Sequence, residues 1–178
     1  MTKTQWITRT AICLALLVCV QFVTKSLNQQ LITGSCVNLI LAVTALAVGA
    51  GGGVIVAVVS PFLAFLLGIG PKFIQLVPCI AVGNAVYVVL LALLLPLFMK
   101  KAKALSFGAV AIAAAVKFLA LWLLVAKIVA PLVVPEAKLA TVAAMFTWPQ
   151  LATALIGGCL ATVVYLALRR AQSGKAAK

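Results

Sequence analysis

Long apolar runs alternate with short polar segments along the whole chain. Six of these runs are apolar enough, and close enough to twenty residues, to predict membrane-crossing helices. They cover about 9–25, 35–49, 52–68, 74–99, 105–127 and 140–168, and a basic tail at 171–178, expected to be flexible, follows. The pattern predicts an all-α integral membrane protein, a single domain built as a six-helix transmembrane bundle.

The second and third runs are short and only a glycine-rich stretch separates them. Gly49, Gly51, Gly52 and Gly53 fall within five residues of one another. Because glycine lacks a Cβ, it permits a tight reversal of the chain. We interpret the two runs as separate helices joined by a turn, and the alternative is one long helix broken at the glycines.

Composition supports a lipid environment for this bundle. Of the 178 residues, 66% are hydrophobic and only 8% are charged. A soluble domain is usually closer to half apolar and a quarter charged, so these charges are too few to cover a water-facing surface. The length leaves room for about six crossings and no large soluble domain.

The cations predict an orientation. The chain has 14 lysine and arginine residues and one acidic residue. Most of these cations lie at the ends of predicted spans, next to anionic lipid headgroups. We therefore expect them to contact lipid, and we expect no nucleic-acid binding. With a cytoplasmic N-terminus, nine cations fall inside and four outside. The nine are Lys3, Arg9, Lys100, Lys101, Lys103, Arg169, Arg170, Lys175 and Lys178, and the four are Lys25, Lys72, Lys127 and Lys138. The positive-inside rule then predicts that both termini are cytoplasmic.

The remaining cation, Lys117, lies inside the fifth predicted span. A charge there costs at least about 2.5 kcal/mol, so it should face a cavity or a partner. The chain has one acidic residue, Glu136, in a predicted outer loop. Lys117 is therefore either neutral without ligand or paired with an anionic ligand. The alternative, a lysine that snorkels to the interface, needs a long reach, because the predicted outer end is about 15 Å away.

Other polar and aromatic residues are predicted to share the outer half of the membrane with Lys117. Buried amides need partners, and these can be a ligand or the amides and hydroxyls of neighbouring helices. Aromatic rings can form the walls of a pocket, although Trp148 can also serve as an interfacial anchor. With Lys117, the candidate substrate-binding residues are Asn38, Asn84, Gln150, Tyr87, Trp122 and Trp148.

The residue inventory argues against an enzyme. The sequence contains no histidine and no intramembrane carboxylate, so acid–base and metal chemistry lack their usual groups, and we expect no metal or cofactor. No phosphate-binding loop motif is present either. Five cysteines lie in or near apolar runs, where small buried hydrophobes are expected, and a Cys36–Cys79 disulfide near the outer face is the alternative for two of them.

Several short motifs, in this order and spacing, resemble the substrate-binding (S) components of energy-coupling factor transporters. They are Ala11-x-x-x-Ala15, the stretch from Asn38 to Gly53, Pro78 to Asn84, Lys117-Phe118-Leu119, and Trp148-Pro149-Gln150 followed by Gly157-Gly158. The resemblance covers nearly the whole chain. Because alanines four residues apart share one helix face, Ala11 and Ala15 let another helix approach closely.

The resemblance implies a subunit that captures a vitamin-like micronutrient at the outer face of the cell membrane. It implies docking, through Ala11 and Ala15, on a transmembrane coupling subunit driven by two ATPase subunits. Lys117 favours a ligand that carries a carboxylate or phosphate. Two alternatives are an autonomous small carrier or channel, and a membrane scaffold without ligand.

Overall fold

The computed structural model describes residues 1–27, 29–70 and 72–176. Within these ranges the chain is helical and contains no strand. Five helical stretches are long and apolar enough to cross a membrane, and a sixth, Ala50–Leu66, is apolar over 17 residues, at the short end of what a crossing needs. The prediction of an all-α membrane bundle is confirmed.

Eight α-helices make up most of the described chain. A π-helix over Trp122–Val129 links two of them, and short 3₁₀ turns at Ile74–Leu76 and Lys103–Leu105 precede two others. The α-helices are α1 (Lys3–Lys25), α2 (Gln30–Ala47), α3 (Ala50–Leu66), α4 (Val77–Lys101), α5 (Ser106–Leu121), α6 (Ala130–Val133), α7 (Glu136–Ala144) and α8 (Trp148–Ala176).

The first helix begins at Lys3, six residues before the predicted start of the first span. A capping box explains the earlier start: Gln5 N donates to Thr2 Oγ1 at 3.2 Å, and Thr2 N donates to Gln5 Oε1 at 3.1 Å. These bonds satisfy donors at the helix N-terminus that have no partner within the helix. Hydropathy alone cannot detect this polar first turn.

The glycine stretch forms a turn between two helices, which decides between the two alternatives above. Helix α2 ends at Ala47, α3 begins at Ala50, and Gly49 between them has φ +93° and ψ 178°. Only glycine adopts this backbone conformation without strain. The remaining glycines of the stretch lie in the first turn of α3.

The last two predicted spans differ from the structure in their limits. The fifth continues past Lys127, through the π-helix and α6, to Val133. The sixth, predicted as one helix over 140–168, is divided by a turn between α7 and α8, because Pro149 lacks an N–H and therefore fits the first turn of a new helix. The predicted tail is helical to Ala176; residues 177 and 178 lie outside the described residues, and the flexibility of the tail stays a prediction.

Helix α2 lies at the centre of the packing. It packs most extensively on α8 and also contacts α1, α3 and α4, while α4 packs on α3 and α5, and α5 on α8. The main core fills the space between these helices with fully buried side chains, among them Leu17, Leu41, Val56, Leu91 and Val110. Helix α1 lies at the edge of this packing, where it contacts α2 and α3.

Contacts between helix ends show that α1, α2 and α3 run in alternating directions and that α8 runs in the same direction as α2. At one end of the bundle Lys25 Nζ donates to Leu67 O at 3.3 Å, and Gln30 Nε2 donates to Met145 O at 2.6 Å. These contacts place the end of α1, the start of α2, the end of α3 and the start of α8 together. We call this end of the bundle the α1–α2 end. The start of α1 and the end of α8 lie at the opposite end, which the cation distribution predicts to be cytoplasmic.

Candidate functional site

Lys117 lies on α5 with its side chain turned into the bundle. Its exposed fraction is 2%, and its ammonium donates to Asn38 Oδ1 at 2.5 Å and to Asn84 Oδ1 at 2.7 Å. Because an ammonium has three donors and no acceptor, both amides must present oxygen to it. A snorkelling lysine is therefore ruled out in this structure, and the lysine joins α2, α4 and α5.

An aromatic ring completes the surroundings of the ammonium. Tyr87 follows Asn84 by three residues on α4, so the two side chains share one helix face. The Lys117 Nζ lies 5.1 Å from the centroid of the Tyr87 ring, within cation–π distance. The Tyr87 hydroxyl donates to Ala154 O at 2.7 Å, which fixes the ring against α8.

The amide of Asn38 is held on all sides. Its Nδ2 donates to Gly34 O at 2.9 Å, one turn earlier on α2, and to Thr153 Oγ1 on α8 at 3.2 Å. The Thr153 hydroxyl in turn donates to Gln150 O at 3.2 Å. Sequence reasoning missed Thr153; the available signal was its place three residues after Gln150, on the same face of a helix that carries two glycines.

Glycines allow α2 and α8 to come close enough for these bonds. A methyl group at Gly157 would lie 2.6 Å from both Ser35 O and Leu39 N, so main chain packs against main chain there. A methyl group at Gly158 would lie 2.6 Å from the Tyr87 hydroxyl oxygen. Small residues at these two positions therefore set the distance between α8 and the polar cluster.

We call Lys117, Asn38, Asn84, Tyr87 and Thr153 the lysine cluster. The sequence left two states open for Lys117, a neutral amine or an ammonium paired with an anionic ligand. The structure adds a third, since two uncharged amide oxygens accept its hydrogen bonds. Amide oxygens carry only partial charge. The two amides therefore solvate the Lys117 nitrogen but supply no negative charge to balance it when it is protonated.

Three other predicted site residues lie outside this cluster. Gln150 Nε2 donates to Met145 O at 3.0 Å, and the hydrogen bond that joins Gln150 to the lysine cluster is accepted by its main-chain oxygen. Trp148 is 64% exposed, and the ring of Trp122 lies 5.1 Å from Lys127 Nζ. Within the described residues, no hydrogen bond or ring contact joins either tryptophan to Lys117. A role for these three in ligand binding stays a prediction.

Ala11 and Ala15 lie on the exposed side of α1. The buried positions of this helix are Thr10, Leu17, Gln21 and Thr24, which face the bundle. The two alanines are thus free of contacts that would exclude a partner helix. Their role in docking stays a prediction.

The cysteines supply no crosslink within the described chain. All five are free thiols, including Cys36 and Cys79, the pair considered for a disulfide. The described residues also contain no group of histidine, cysteine, aspartate and glutamate side chains able to hold a metal ion.

Fold and cluster together define a class: a multi-pass helical membrane protein that carries a polar site within its lipid-embedded core. The sequence matches the family described as "ECF transporter, substrate-specific component" over residues 5–169. The chain belongs to this family, as its motifs indicated. The chain has no significant match among curated proteins or solved structures.

Family membership establishes the general role. The chain is a substrate-binding subunit of an energy-coupling factor transporter in the plasma membrane. Such a subunit is not an enzyme, because ATP hydrolysis takes place in partner subunits of the complex. Its partners are a substrate and the coupling and ATPase subunits.

Proposed function

We propose that this chain captures an anionic micronutrient from outside the cell and presents it to the coupling subunit of its transporter. The lysine cluster is the proposed binding site. The single observation that carries the proposal is the Lys117 ammonium, buried in the bundle with two uncharged amides as its hydrogen-bond partners.

The charge of the ligand follows from what the chain lacks. Its single acidic residue, Glu136, is exposed at the start of α7. A buried charge is favourable only when it is paired or well solvated by dipoles, and burial strengthens its attraction for an ion of opposite sign. A ligand carboxylate or phosphate would supply the missing negative charge.

The position of the cluster supports entry from the α1–α2 end. Asn84 lies seven residues after the start of α4, which is about 10 Å along the helix, and 17 residues, about 26 Å, before its end. Thr153 lies five residues after the start of α8. The excess of cations at the opposite end predicts that this nearer end faces outward.

The exposed face of α1 supports a docking role in the complex. Ala11 and Ala15 stand on it one turn apart, and both are exposed. In lipid, helices associate where small residues let main chains approach, so this face suits a helix of the coupling subunit. Ligand capture and docking would then use opposite sides of α2, because α1 packs outside it and the lysine cluster lies inside.

The test begins with mass spectrometry of the small molecules that a gently purified chain retains, which should include an organic anion. The retained molecule is then titrated against Lys117→Met and against Lys127→Met, which removes an exposed cation of the same helical stretch. Losing a hydrogen bond to a charged group costs about 1.5–3 kcal/mol, so Lys117→Met should weaken binding about 10- to 150-fold.

Lys127→Met should bind the retained molecule with unchanged affinity. Thermal unfolding of both variants shows whether the Lys117 substitution acts through the site or through loss of the fold. An uncharged retained ligand, or equal affinities of a folded Lys117→Met variant and the wild type, would refute the anionic assignment. Absence of any ligand from repeated preparations and screens would favour the scaffold alternative.

A further inference from the structure

The two amides that hold Lys117 differ in their other contacts. Asn38 uses its nitrogen twice, on Gly34 O and on Thr153 Oγ1, while its oxygen accepts from Lys117. Asn84 accepts from Lys117 through its oxygen, and in the hydrogen bonds of the described residues its nitrogen donates to no acceptor. One amide is locked in place, and the other keeps a spare donor.

The side-chain nitrogen of Asn84 is not fully enclosed by the protein. In the described part of the chain, the fully enclosed polar side-chain atoms without a partner are Gln21 Oε1 and Ser60 Oγ. The nitrogen of Asn84 is not one of them, although the residue as a whole is only 4% exposed. It therefore retains some accessible surface beside the ammonium.

The difference decides which amide is able to move. Rotating the Asn38 amide would break two bonds made by its nitrogen and would turn that nitrogen toward the ammonium, which has no acceptor. Rotating the Asn84 amide breaks only its bond to Lys117. An incoming anion that replaces this one oxygen compensates for the loss, and the freed amide nitrogen gains an acceptor.

We infer that the ligand presents a single carboxylate, which takes the place of Asn84 Oδ1 on Lys117 and also accepts a hydrogen bond from Asn84 Nδ2. Asn38 is a positioning residue that holds the ammonium in both states. This inference rests on the proposed function, because it names the ligand group that binds Lys117.

The count of charges and donors favours a carboxylate over a phosphate. Lys117 is the one buried cation among the residues whose burial is described, so a group with one negative charge balances it, and a dianion would leave charge uncompensated. An ammonium and one amide N–H offer donors to two oxygens, and a carboxylate has two oxygens in one plane.

The experiment uses chemical rescue and does not need the natural ligand. Asn84→Ala and Asn38→Ala each remove one amide beside the ammonium, and both should unfold at lower temperature than the wild type. Each variant is then heated with sodium acetate, with acetamide, with sodium phosphate, or with sodium chloride at matched ionic strength. Acetate stands in for the ligand carboxylate and acetamide for the missing side chain.

We expect opposite responses from the two variants. Acetate should recover at least half of the loss in unfolding temperature of Asn84→Ala, and more than acetamide, phosphate or chloride recover. Acetate should not rescue Asn38→Ala, because Gly34 O and Thr153 require a donor, whereas acetamide should rescue it partly. The same response of both variants to acetate, or rescue of Asn84→Ala by acetamide alone, would overturn the inference.

A second pair of variants covers the case in which the alanine variants do not fold. Asn84→Asp places a carboxylate on Lys117 and should retain or raise the unfolding temperature, while Asn38→Asp sets an oxygen against Gly34 O and should lower it. The reverse order contradicts the inference. An uncharged retained ligand would instead refute the proposed function, whatever acetate does to Asn84→Ala.

Discussion

Replacing Gly157 by alanine tests how closely the lysine cluster depends on the packing of α8 against α2. The added methyl group would lie 2.6 Å from Ser35 O, 2.6 Å from Leu39 N and 2.7 Å from Asn38 Cβ. Non-bonded heavy atoms prefer about 3.5 Å, so the two helices must separate by about 0.9 Å at this level. Because the obstructing atoms are mainly main chain, no side chain can rotate to relieve the contact.

The separation also reaches the amide that holds the lysine. The bond from Asn38 Nδ2 to Thr153 Oγ1 measures 3.2 Å, and about 0.9 Å more takes it beyond hydrogen-bonding distance. Overpacking costs about 1–3 kcal/mol and the lost bond about 1 kcal/mol, while alanine in place of glycine gains up to about 1 kcal/mol in helix propensity. We expect a net destabilisation of about 1–3 kcal/mol.

The assay is thermal unfolding in detergent, followed by tryptophan fluorescence. At about 2–4 °C per kcal/mol for a chain of this size, Gly157→Ala should lower the midpoint by several degrees. Gly108→Ala is the matched control, since its methyl group would meet nothing closer than a Phe98 ring carbon at 3.8 Å. That variant should unfold at or above the wild-type temperature. A Gly157→Ala midpoint equal to that of Gly108→Ala would refute the close approach of α2 and α8.

Two further predictions concern the turn before α3 and the exposed face of α1. Gly49→Ala should lose about 1–3 kcal/mol of stability, because φ +93° strains any residue with a Cβ. Gly51→Ala, in the helix that follows, is the control and should not lose stability. Similar unfolding temperatures of the two variants would contradict the strained turn. Ala11→Trp combined with Ala15→Trp should abolish co-purification of the coupling subunit without changing ligand affinity, while Leu160→Trp, also exposed, should leave both intact. Retained co-purification in the double variant would show that docking uses another surface.

The polar residues of the site illustrate how far sequence reasoning reached. A lysine inside an apolar run, with no acid in any predicted span, indicated that Lys117 needs a special environment, and amides on other spans were its natural partners. The structure brings Asn38, Asn84 and Tyr87 to it. It does not bring Trp122 or Trp148, because an aromatic residue in a membrane helix is equally suited to an interface with lipid.

Local chemistry explains the differences in helix limits. The capping box at Thr2 and the restart of the helix at Trp148 depend on single hydrogen bonds and on one proline, which a hydropathy pattern does not weigh. The π-helix over Trp122–Val129 has no comparable signal, because its residues are as apolar as those of a regular helix. Such features shift boundaries by several residues, and the structure contains five long apolar helical stretches together with the shorter Ala50–Leu66.

The sequence by itself determined that the chain lies in lipid, that its fold is all-α and that Lys117 is an isolated cation within a span. Each of these follows from the order of apolar and charged residues along one chain. Only the tertiary structure decided that Asn38 is held by Gly34 and Thr153, while the side-chain nitrogen of Asn84 has no acceptor among the described residues. That distinction depends on which faces of the helices α2, α4, α5 and α8 meet, and on how these helices are shifted along their axes relative to one another. Helix rotation and depth are set by contacts between residues far apart in sequence, including the main-chain approach at Gly157, and no single segment encodes them.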